Sequence, residues 1–349
     1  MKALLITGSN GWLGKAIIRN LINSFKYYSK IDLLIIHTLD QIDFLTKNDS
    51  YLLEKNKINY VRIFGSITND SLIQSINKIS LFSKIKEIKV IHTASVIHPK
   101  KVSDFYKVNF LGTINLYNSL KSLNLSKFTY ISSNSPFGFN KRGIPFDENS
   151  TYNPIGGYGT SKKCAEEFLL GLDEKEKIVI LRAPWFHGNE MPERQARFLV
   201  NASKGKFPII GKGENRRSLV NTTDLAIASL NVTLYKCKRN IYWISDKDSY
   251  SMKKIIYIVQ NFNSKYKKIK LKFNAIYLPK GTSTFFILLD LILQKIGIYN
   301  MYLHVLGELG QNIECSSREY WNEFNNHKSI DFEQSICEEI KEAYKKIKN

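Results

Sequence analysis

Two residues in the run Tyr158-Gly159-Thr160-Ser161-Lys162 stand four positions apart. On a helix that spacing puts Tyr158 and Lys162 on one face. A lysine ammonium near a phenol stabilises the phenolate and lowers the tyrosine pKa toward neutrality. Such a tyrosine can take a proton from a substrate hydroxyl, or return one, while a hydride moves. Tyr and Lys are both abundant in this chain, so the pair alone can arise by chance. Its surroundings argue otherwise. Upstream, the apolar run Phe128–Ile131 ends in Ser132-Ser133-Asn134-Ser135. At the carboxyl end of a parallel strand a serine hydroxyl can hydrogen-bond a reacting carbonyl or alcohol oxygen. Without the tyrosine downstream, the same serines would read as a plain turn.

A second chemical feature lies at the start. The run Ala3–Thr7 leads into Gly8-Ser9-Asn10-Gly11-Trp12-Leu13-Gly14. The glycines follow a G-x-x-G-x-x-G spacing. Gly8 makes the tight turn, Gly11 lets backbone approach a pyrophosphate, and Gly14 lets the helix pack closely on the strand. The helix N-terminus then offers N–H groups and partial positive charge to phosphates. The motif sits between a first strand and a first helix, the context in which it binds a dinucleotide, NAD or NADP. The choice between them stays open. The second strand ends in His37-Thr38-Leu39-Asp40, and Asp40 reads equally as a ribose acceptor or a solvated loop acid.

The elements that must position these groups follow from hydrophobic pattern. Strands are expected at Ala3–Thr7, Asp32–His37, Tyr60–Phe64, Val90–Thr93, Phe128–Ser132 and Ile178–Leu181. Helices are expected at Leu13–Phe25, Asp70–Ser83, Val102–Leu123 and Tyr158–Leu170. Continuous apolar strands alternating with helices predict an α/β fold with a doubly wound parallel sheet. After Arg182 the pattern loosens around Pro184, Gly188, Pro192, Pro208, Gly211 and Gly213. Leu225–Leu230 returns to helix and Asn240–Ile244 to strand. The expected division is a dinucleotide-binding domain of residues 1–185 and about 219–247, and a smaller substrate lobe of 186–218 and 248–349. The tail Glu333–Lys348 reads as an amphipathic surface helix. The apolar segment Phe285–Tyr299 reads first as a buried core helix, with an apolar pocket wall or a membrane surface as alternatives.

The composition sets bounds. The chain has 349 residues, 51 Lys+Arg, 31 Asp+Glu and a formal net charge of +20. With 43% hydrophobic residues it can bury a large core, which excludes disorder and small disulfide scaffolds. Lysines number 41 and arginines 10, and the lysines are spread along the chain. That argues for a solvated lysine background rather than a nucleic-acid reader, which favours clustered arginine. Cys164, Cys237, Cys315 and Cys337 are far apart, without a metal-site spacing. No signal-like segment opens the chain and no run of about 18 apolar residues occurs, so the expected location is cytoplasmic.

Together the motifs resemble the extended short-chain dehydrogenase/reductase superfamily, which holds nucleotide-sugar epimerases and dehydratases. It also holds 3β-hydroxysteroid dehydrogenase-like and dihydroflavonol reductase-like enzymes. The resemblance rests on Thr7–Gly14, Val90–Ala94, Val108-Asn109 with Gly112-Thr113, and Tyr130–Ser133 with Gly138. It continues through Asp147-Glu148, Tyr158–Lys162 with Ala165-Glu166, Leu181–Pro184 and Asp224–Ala226. It implies a Rossmann-type fold, Tyr158 as general acid/base, Lys162 as ribose anchor and Ser133 as the substrate-orienting hydroxyl, with Ser132 and Ser135 as rivals. It further implies a cofactor lined by Thr7, Gly8, Asn10, Gly11, Trp12, Leu13, Gly14, Ala94, Asn109 and Pro184. Ser133, Asn134, Ser135, Arg216 and Arg217 are the expected substrate contacts, the arginines on a diphosphate. A homodimer through the helices Val102–Leu123 and Tyr158–Leu170 is the expected assembly. Two departures stand out. Ser66 replaces the acid often found near the adenine, and Gly310–Glu314 lacks a second arginine. Three readings follow: an epimerase, dehydratase or dehydrogenase of a nucleotide sugar; an oxidoreductase of a hydrophobic alcohol or ketone; and a non-catalytic cofactor sensor or RNA-binding member.

Overall fold

The computed structural model describes residues 1–28, 30–69, 71–77, 82–121, 123–267, 273–325 and 327–348. The strands are β1 (Lys2–Thr7), β2 (Leu33–Thr38), β3 (Tyr60–Phe64), β4 (Glu87–His92), β5 (Leu125–Ser133) and β6 (Ile178–Ala183). With Ile241–Trp243 they form one sheet, ordered Ile241–Trp243, β6, β5, β4, β1, β2, β3. The pairs β1–β2, β2–β3, β1–β4 and β4–β5 are parallel. Every residue of β2 and of β6 is buried. This is why those strands read as unbroken apolar runs rather than alternating ones: helices cover both faces. Leu5, Ile35, Val90, Phe128 and Ile180 pack in one core with Leu116, Tyr117 and Leu120 from helix Gly112–Lys121 and with Ala165 and Leu169 from helix Gly156–Leu170. Chain order reverses between β1 and β4, so the carboxyl ends of these strands, Thr7 and His92, lie side by side in register. A crevice at such a switch point is where sheets of this kind bind ligands.

The expected helices are present with adjustments. Helix Trp12–Asn23 buries Leu13, Gly14, Ile17, Ile18, Leu21 and Ile22, the i, i+3, i+4 stripe of a one-sided helix. The expected helix Asp70–Ser83 is seen as Ser71–Asn77 and a short turn at Phe82–Lys84, while residues 70 and 78–81 lie outside the described residues. The expected single helix Val102–Leu123 is interrupted. Its first turn, Val102–Phe105, widens into a π-helical segment, Tyr106–Leu111, before α-helix resumes at Gly112–Lys121. A helix Lys47–Lys55 precedes β3, closed by a reciprocal cap in which Asp49 N–H donates to Thr46 Oγ1 at 3.1 Å and Thr46 N–H to Asp49 Oδ2 at 2.8 Å.

The chain divides into two units. One holds Met1–Pro136, Gly157–Arg182 and Leu225–Tyr242; the other holds Phe137–Gly156, Ala183–Asp224 and Trp243–Asn349. The segment Phe137–Gly156, expected in the first domain, belongs to the second. Its aromatics decide this, because Phe137, Phe146 and Tyr152 pack with Trp243 and Cys315. Phe146 also joins residues 314–316 by backbone bonds of 2.8 Å, Phe146 N–H to Glu314 O and Ser316 N–H to Phe146 O. Within this unit, Trp185–His187 pairs with Leu219–Asn221, Arg216–Arg217 with Tyr250–Ser251, and Pro208–Ile210 with Ile276–Leu278. The tail helix runs Phe332–Lys348 and buries Phe332, Ile336, Glu339, Ile340 and Ala343.

The core-helix expectation for Phe285–Tyr299 is overturned. Helix Gly281–Lys295 buries Ser283 and Asp290 and leaves Phe285, Leu288 and Ile292 exposed. Its two buried side chains have polar partners, described below, and Phe286, Ile287, Leu289 and Leu293 are half-buried. No helix among the described residues is long and apolar enough to cross a membrane.

Candidate active site

The glycine turn is shaped by close backbone approach. Gly8 has φ +69°, and a Cβ there would stand 2.7 Å from Ala94 N. A Cβ on Gly14 would stand 2.4 Å from Gly8 O and 2.7 Å from Ser9 Cα. Both positions therefore demand glycine, one by conformation and contact, the other by contact alone. Ser9 N–H donates to His37 O at 2.9 Å, tying the turn to β2, and Ser9 Oγ donates to Ile6 O at 2.7 Å. Gly11 caps helix Trp12–Asn23 without a side-chain bond, and the first turn carries no acid. Its positive end is thus left for an external anion. Asn10 and Trp12 are half-buried on this turn, and Leu13 is buried beneath it. These residues fit the pyrophosphate of a dinucleotide.

Behind the turn runs a buried chain of hydrogen bonds. The Thr113 hydroxyl donates to Asn109 O at 2.7 Å, so it accepts from His92 Nε2–H at 3.0 Å. His92 Nδ1 must then accept from the Thr7 hydroxyl at 2.7 Å. The imidazole is the neutral Nε2–H form. Burial, with Lys162 and His37 adding to it, pushes its pKa well below the usual value, in agreement. Thr93 Oγ1 donates to Thr7 O at 2.6 Å and so holds the strand end that presents Ala94. His92 falls within the run Val90–Ala94, where nothing in the local pattern assigns its ring a task.

Asn109 occupies the π-helical segment. Its Oδ1 accepts from Val96 N–H at 2.8 Å and Ser95 Oγ at 3.0 Å. Its Nδ2 donates to Val96 O at 3.0 Å and to Ser161 Oγ at 3.3 Å. Ser161 Oγ in turn donates to Tyr158 O at 2.8 Å. The widened turn thereby connects the loop after β4 to the helix bearing Tyr158. Single π turns of this kind often mark functional sites.

Tyr158 and Lys162 lie on helix Gly156–Leu170. The half-buried Tyr158 ring packs on Phe105, centroids 5.7 Å apart. Lys162 is buried, donates from Nζ to Ile131 O at 2.8 Å, and sits 4.6 Å from the centroid of the Tyr130 ring. Burial lowers its pKa to about 7, against the pull of Glu166. Glu166 is one helical turn beyond Lys162 and accepts from Arg182 Nη2 at 2.7 Å and Nε at 3.1 Å, in a fully buried pair. The i, i+4 step from Lys162 could have flagged Glu166 in the sequence. At the end of β5, Ser132 is buried and its Oγ has no hydrogen-bond partner. Ser133 is half-buried; its Oγ is 3.2 Å from Ser135 Oγ and accepts from Ser135 N–H at 3.3 Å. Strand alternation turns the Ser132 and Ser133 hydroxyls to opposite faces. Asn134 is buried between Ser133 and Ser135, and Pro184 follows directly on β6, also buried.

The two arginines belong to the second unit and are held there by acceptors. Arg216 donates from Nε to Ser249 Oγ and Glu314 Oε2, each at 2.9 Å. Buried Arg217 donates from Nη2 to Glu308 O, and its Nη1 is 3.9 Å from Glu308 Oε2. Arg217 Nε is buried without a hydrogen-bond partner, leaving one donor unused. The stretch that lacks a second arginine runs beside this pair, with Ile313 N–H donating to Arg216 O at 2.9 Å.

Comparison with known proteins extends this picture. A family profile described as NAD dependent epimerase/dehydratase family matches residues 4–240. The uncharacterized protein y4nL of Sinorhizobium fredii is 33% identical over 317 residues, covering 89% of this chain and 86% of that one. The dTDP-D-glucose 4,6-dehydratase of Mus musculus is 27% identical over 276 residues, 75% of this chain and 74% of its own. Among solved structures, dTDP-glucose 4,6-dehydratase from Bacillus anthracis in complex with NAD shares the fold. Its TM-score is 0.71 at 19% identity, over 99% of this chain and 97% of that chain.

Proposed function

The chain belongs to the NAD-dependent epimerase/dehydratase family, and on that premise we propose that it oxidises a ring hydroxyl of a nucleotide-activated sugar and returns the hydride to give the epimer. A dinucleotide held with its pyrophosphate at the Gly8–Gly14 turn would accept the hydride and give it back; Tyr158 takes the hydroxyl proton as the alcohol is oxidised. In the second half-reaction the keto sugar must present its other face, and the same phenol returns the proton as hydride is delivered there. Lys162, one turn along the same helix face, would supply positive charge to the phenol and hold the ribose of a bound cofactor. Ser133 donates a hydrogen bond to the reacting oxygen. The observation that carries this reading is the shared placement of the glycine turn, Ser133, Tyr158 and Lys162 in one unit around the carboxyl ends of β1, β4 and β5. The complete Ser/Tyr/Lys set disfavours a non-catalytic sensor.

Epimerisation needs no group beyond Ser133, Tyr158 and Lys162 and a bound cofactor. Elimination needs a further acid and base to expel hydroxide and remove a carbon-bound proton. The segment that leaves β5 beside Ser133 reads Asn134-Ser135-Pro136-Phe137 and carries no ionisable side chain. Names of relatives support the substrate class, as the mouse relative is a dehydratase of dTDP-glucose. The test is a panel of UDP-, dTDP- and GDP-sugars incubated with NAD or NADP, with products resolved by chromatography and NMR. An epimer without net cofactor reduction is expected. Inertness toward every sugar nucleotide, with turnover of a steroid or flavonol, overturns the proposal.

A further inference from the structure

Helix Gly281–Lys295 leaves an apolar stripe in water, although Phe286, Ile287, Leu289 and Leu293 are half-buried. Its buried side chains are Ser283 and Asp290, while Phe285 is 56% exposed, Leu288 56% and Ile292 58%. Ile296, just past the helix, is 68% exposed, and Tyr302 on the next helix is 73% exposed. Phe285, Leu288, Ile292 and Ile296 recur at the three- and four-residue steps of one helix face. The opposite face is fastened by polar bonds. Ser283 Oγ donates to Gly307 O, and Asp290 Oδ2 accepts from His304 Nδ1 at 2.9 Å and Gln294 Nε2 at 2.8 Å. The outward apolar stripe is thus the built orientation of the helix, and soluble monomers rarely leave so large a contiguous patch in water.

Charge says what covers it. Between residues 249 and 307 the sequence has nine lysines, no arginine and one acid. That acid is Asp290, which is buried. Lys280 and Lys295 flank the helix at its two ends, both exposed. A second copy docking face to face would bring Lys280 and Lys295 against the same lysines, while Asp290 is buried and Glu308 on the next helix is engaged by Arg217 and His304. An anionic lipid surface instead complements the lysines while its acyl region takes the apolar stripe. The helix is about 22 Å long, short of the roughly 30 Å hydrocarbon core, so it lies in the interface plane rather than crossing. Tyr277 and Tyr302, both exposed, are suited to the headgroup level.

We propose that the face formed by Phe285, Leu288, Ile292, Ile296 and Tyr302 docks the protein on an anionic bilayer surface. The test is co-sedimentation of the full chain with vesicles of phosphatidylcholine alone and of an equimolar mixture with phosphatidylglycerol. Binding to the mixed vesicles, weak binding to the neutral ones and release by salt are expected. The double variant Leu288→Glu, Ile292→Glu should lose binding by about tenfold or more, with its circular dichroism and sugar turnover unchanged. Three outcomes overturn the proposal: no sedimentation of the wild type with mixed vesicles; equal sedimentation of the double variant, which assigns binding to scattered lysines; or a wild-type oligomer that the variant dissociates without any vesicle binding, which makes the face a contact between copies.

Discussion

Lys162 donates its ammonium proton to the carbonyl oxygen of Ile131 at 2.8 Å, fastening the tyrosine-bearing helix to the strand that ends in Ser133. This contact ties together the two elements that bear the proposed catalytic groups. It also keeps an ionisable amine in a dry place, with its pKa lowered by burial to about 7.

Tyr158→Phe removes the hydroxyl proposed to carry the proton and leaves the ring on Phe105. Turnover of the sugar nucleotide should fall by about 10²–10⁴-fold, the usual worth of general acid–base catalysis, with dinucleotide affinity held. Steady-state kinetics with a parallel cofactor titration checks this. A variant that keeps its rate would show the phenol to be a bystander.

Lys162 has an ordinary pKa of 10.5 in the unfolded chain and about 7 when folded. Between those values the unfolded chain binds the extra proton, so this group makes stability rise with pH from about 7 toward 10. In Lys162→Met that rise should be absent. Urea midpoints of both proteins at pH 7, 8 and 9 measure it, and parallel curves for the two would contradict the assignment.

His187 in the second unit behaves in the opposite sense. It is buried between Asp246, with Nε2 3.2 Å from Oδ2, and Glu339, with Nδ1 3.0 Å from Oε1. Burial alone would lower its pKa, but hydrogen bonds and charge from Asp246 and Glu339 outweigh it and raise it to about 10. The stabilisation is complete below about pH 6.5 and is lost as pH rises through about 10. At pH 6, His187→Gln should cost about 3–5 kcal/mol, as for a broken buried pair. Thermal unfolding across this range should show the two proteins converging at alkaline pH.

Gly8→Ala asks an L-residue to hold φ +69° with its Cβ 2.7 Å from Ala94 N. A stability loss of about 1–3 kcal/mol is expected from the backbone conformation alone, and dinucleotide affinity should drop with it. Fluorescence titration with NAD and NADP reads the second effect. Unaltered affinity in a folded variant would place the pyrophosphate elsewhere.

Much of this protein is written locally. The glycine spacing, the unbroken apolar strands and the four-residue step from Tyr158 to Lys162 each report on a single element, and each element formed close to where its pattern lies. A period of 3.6, or a run of apolar residues, needs no knowledge of distant chain. What crosses sequence distance was decided only in three dimensions. Asn109 reaches Ser161 because a helix widens by a π turn. Glu166 meets Arg182 because helix Gly156–Leu170 and β6 bring them together. The aromatics of Phe137–Gly156 draw that segment into the second unit. Helix Gly281–Lys295 shows the limit most plainly. Its apolar residues read as core, yet His304, Gln294 and Gly307 offer partners to Asp290 and Ser283. Ser283 and Asp290 are buried with those partners, while Phe285, Leu288 and Ile292 stay exposed, an orientation that apolar periodicity alone does not give.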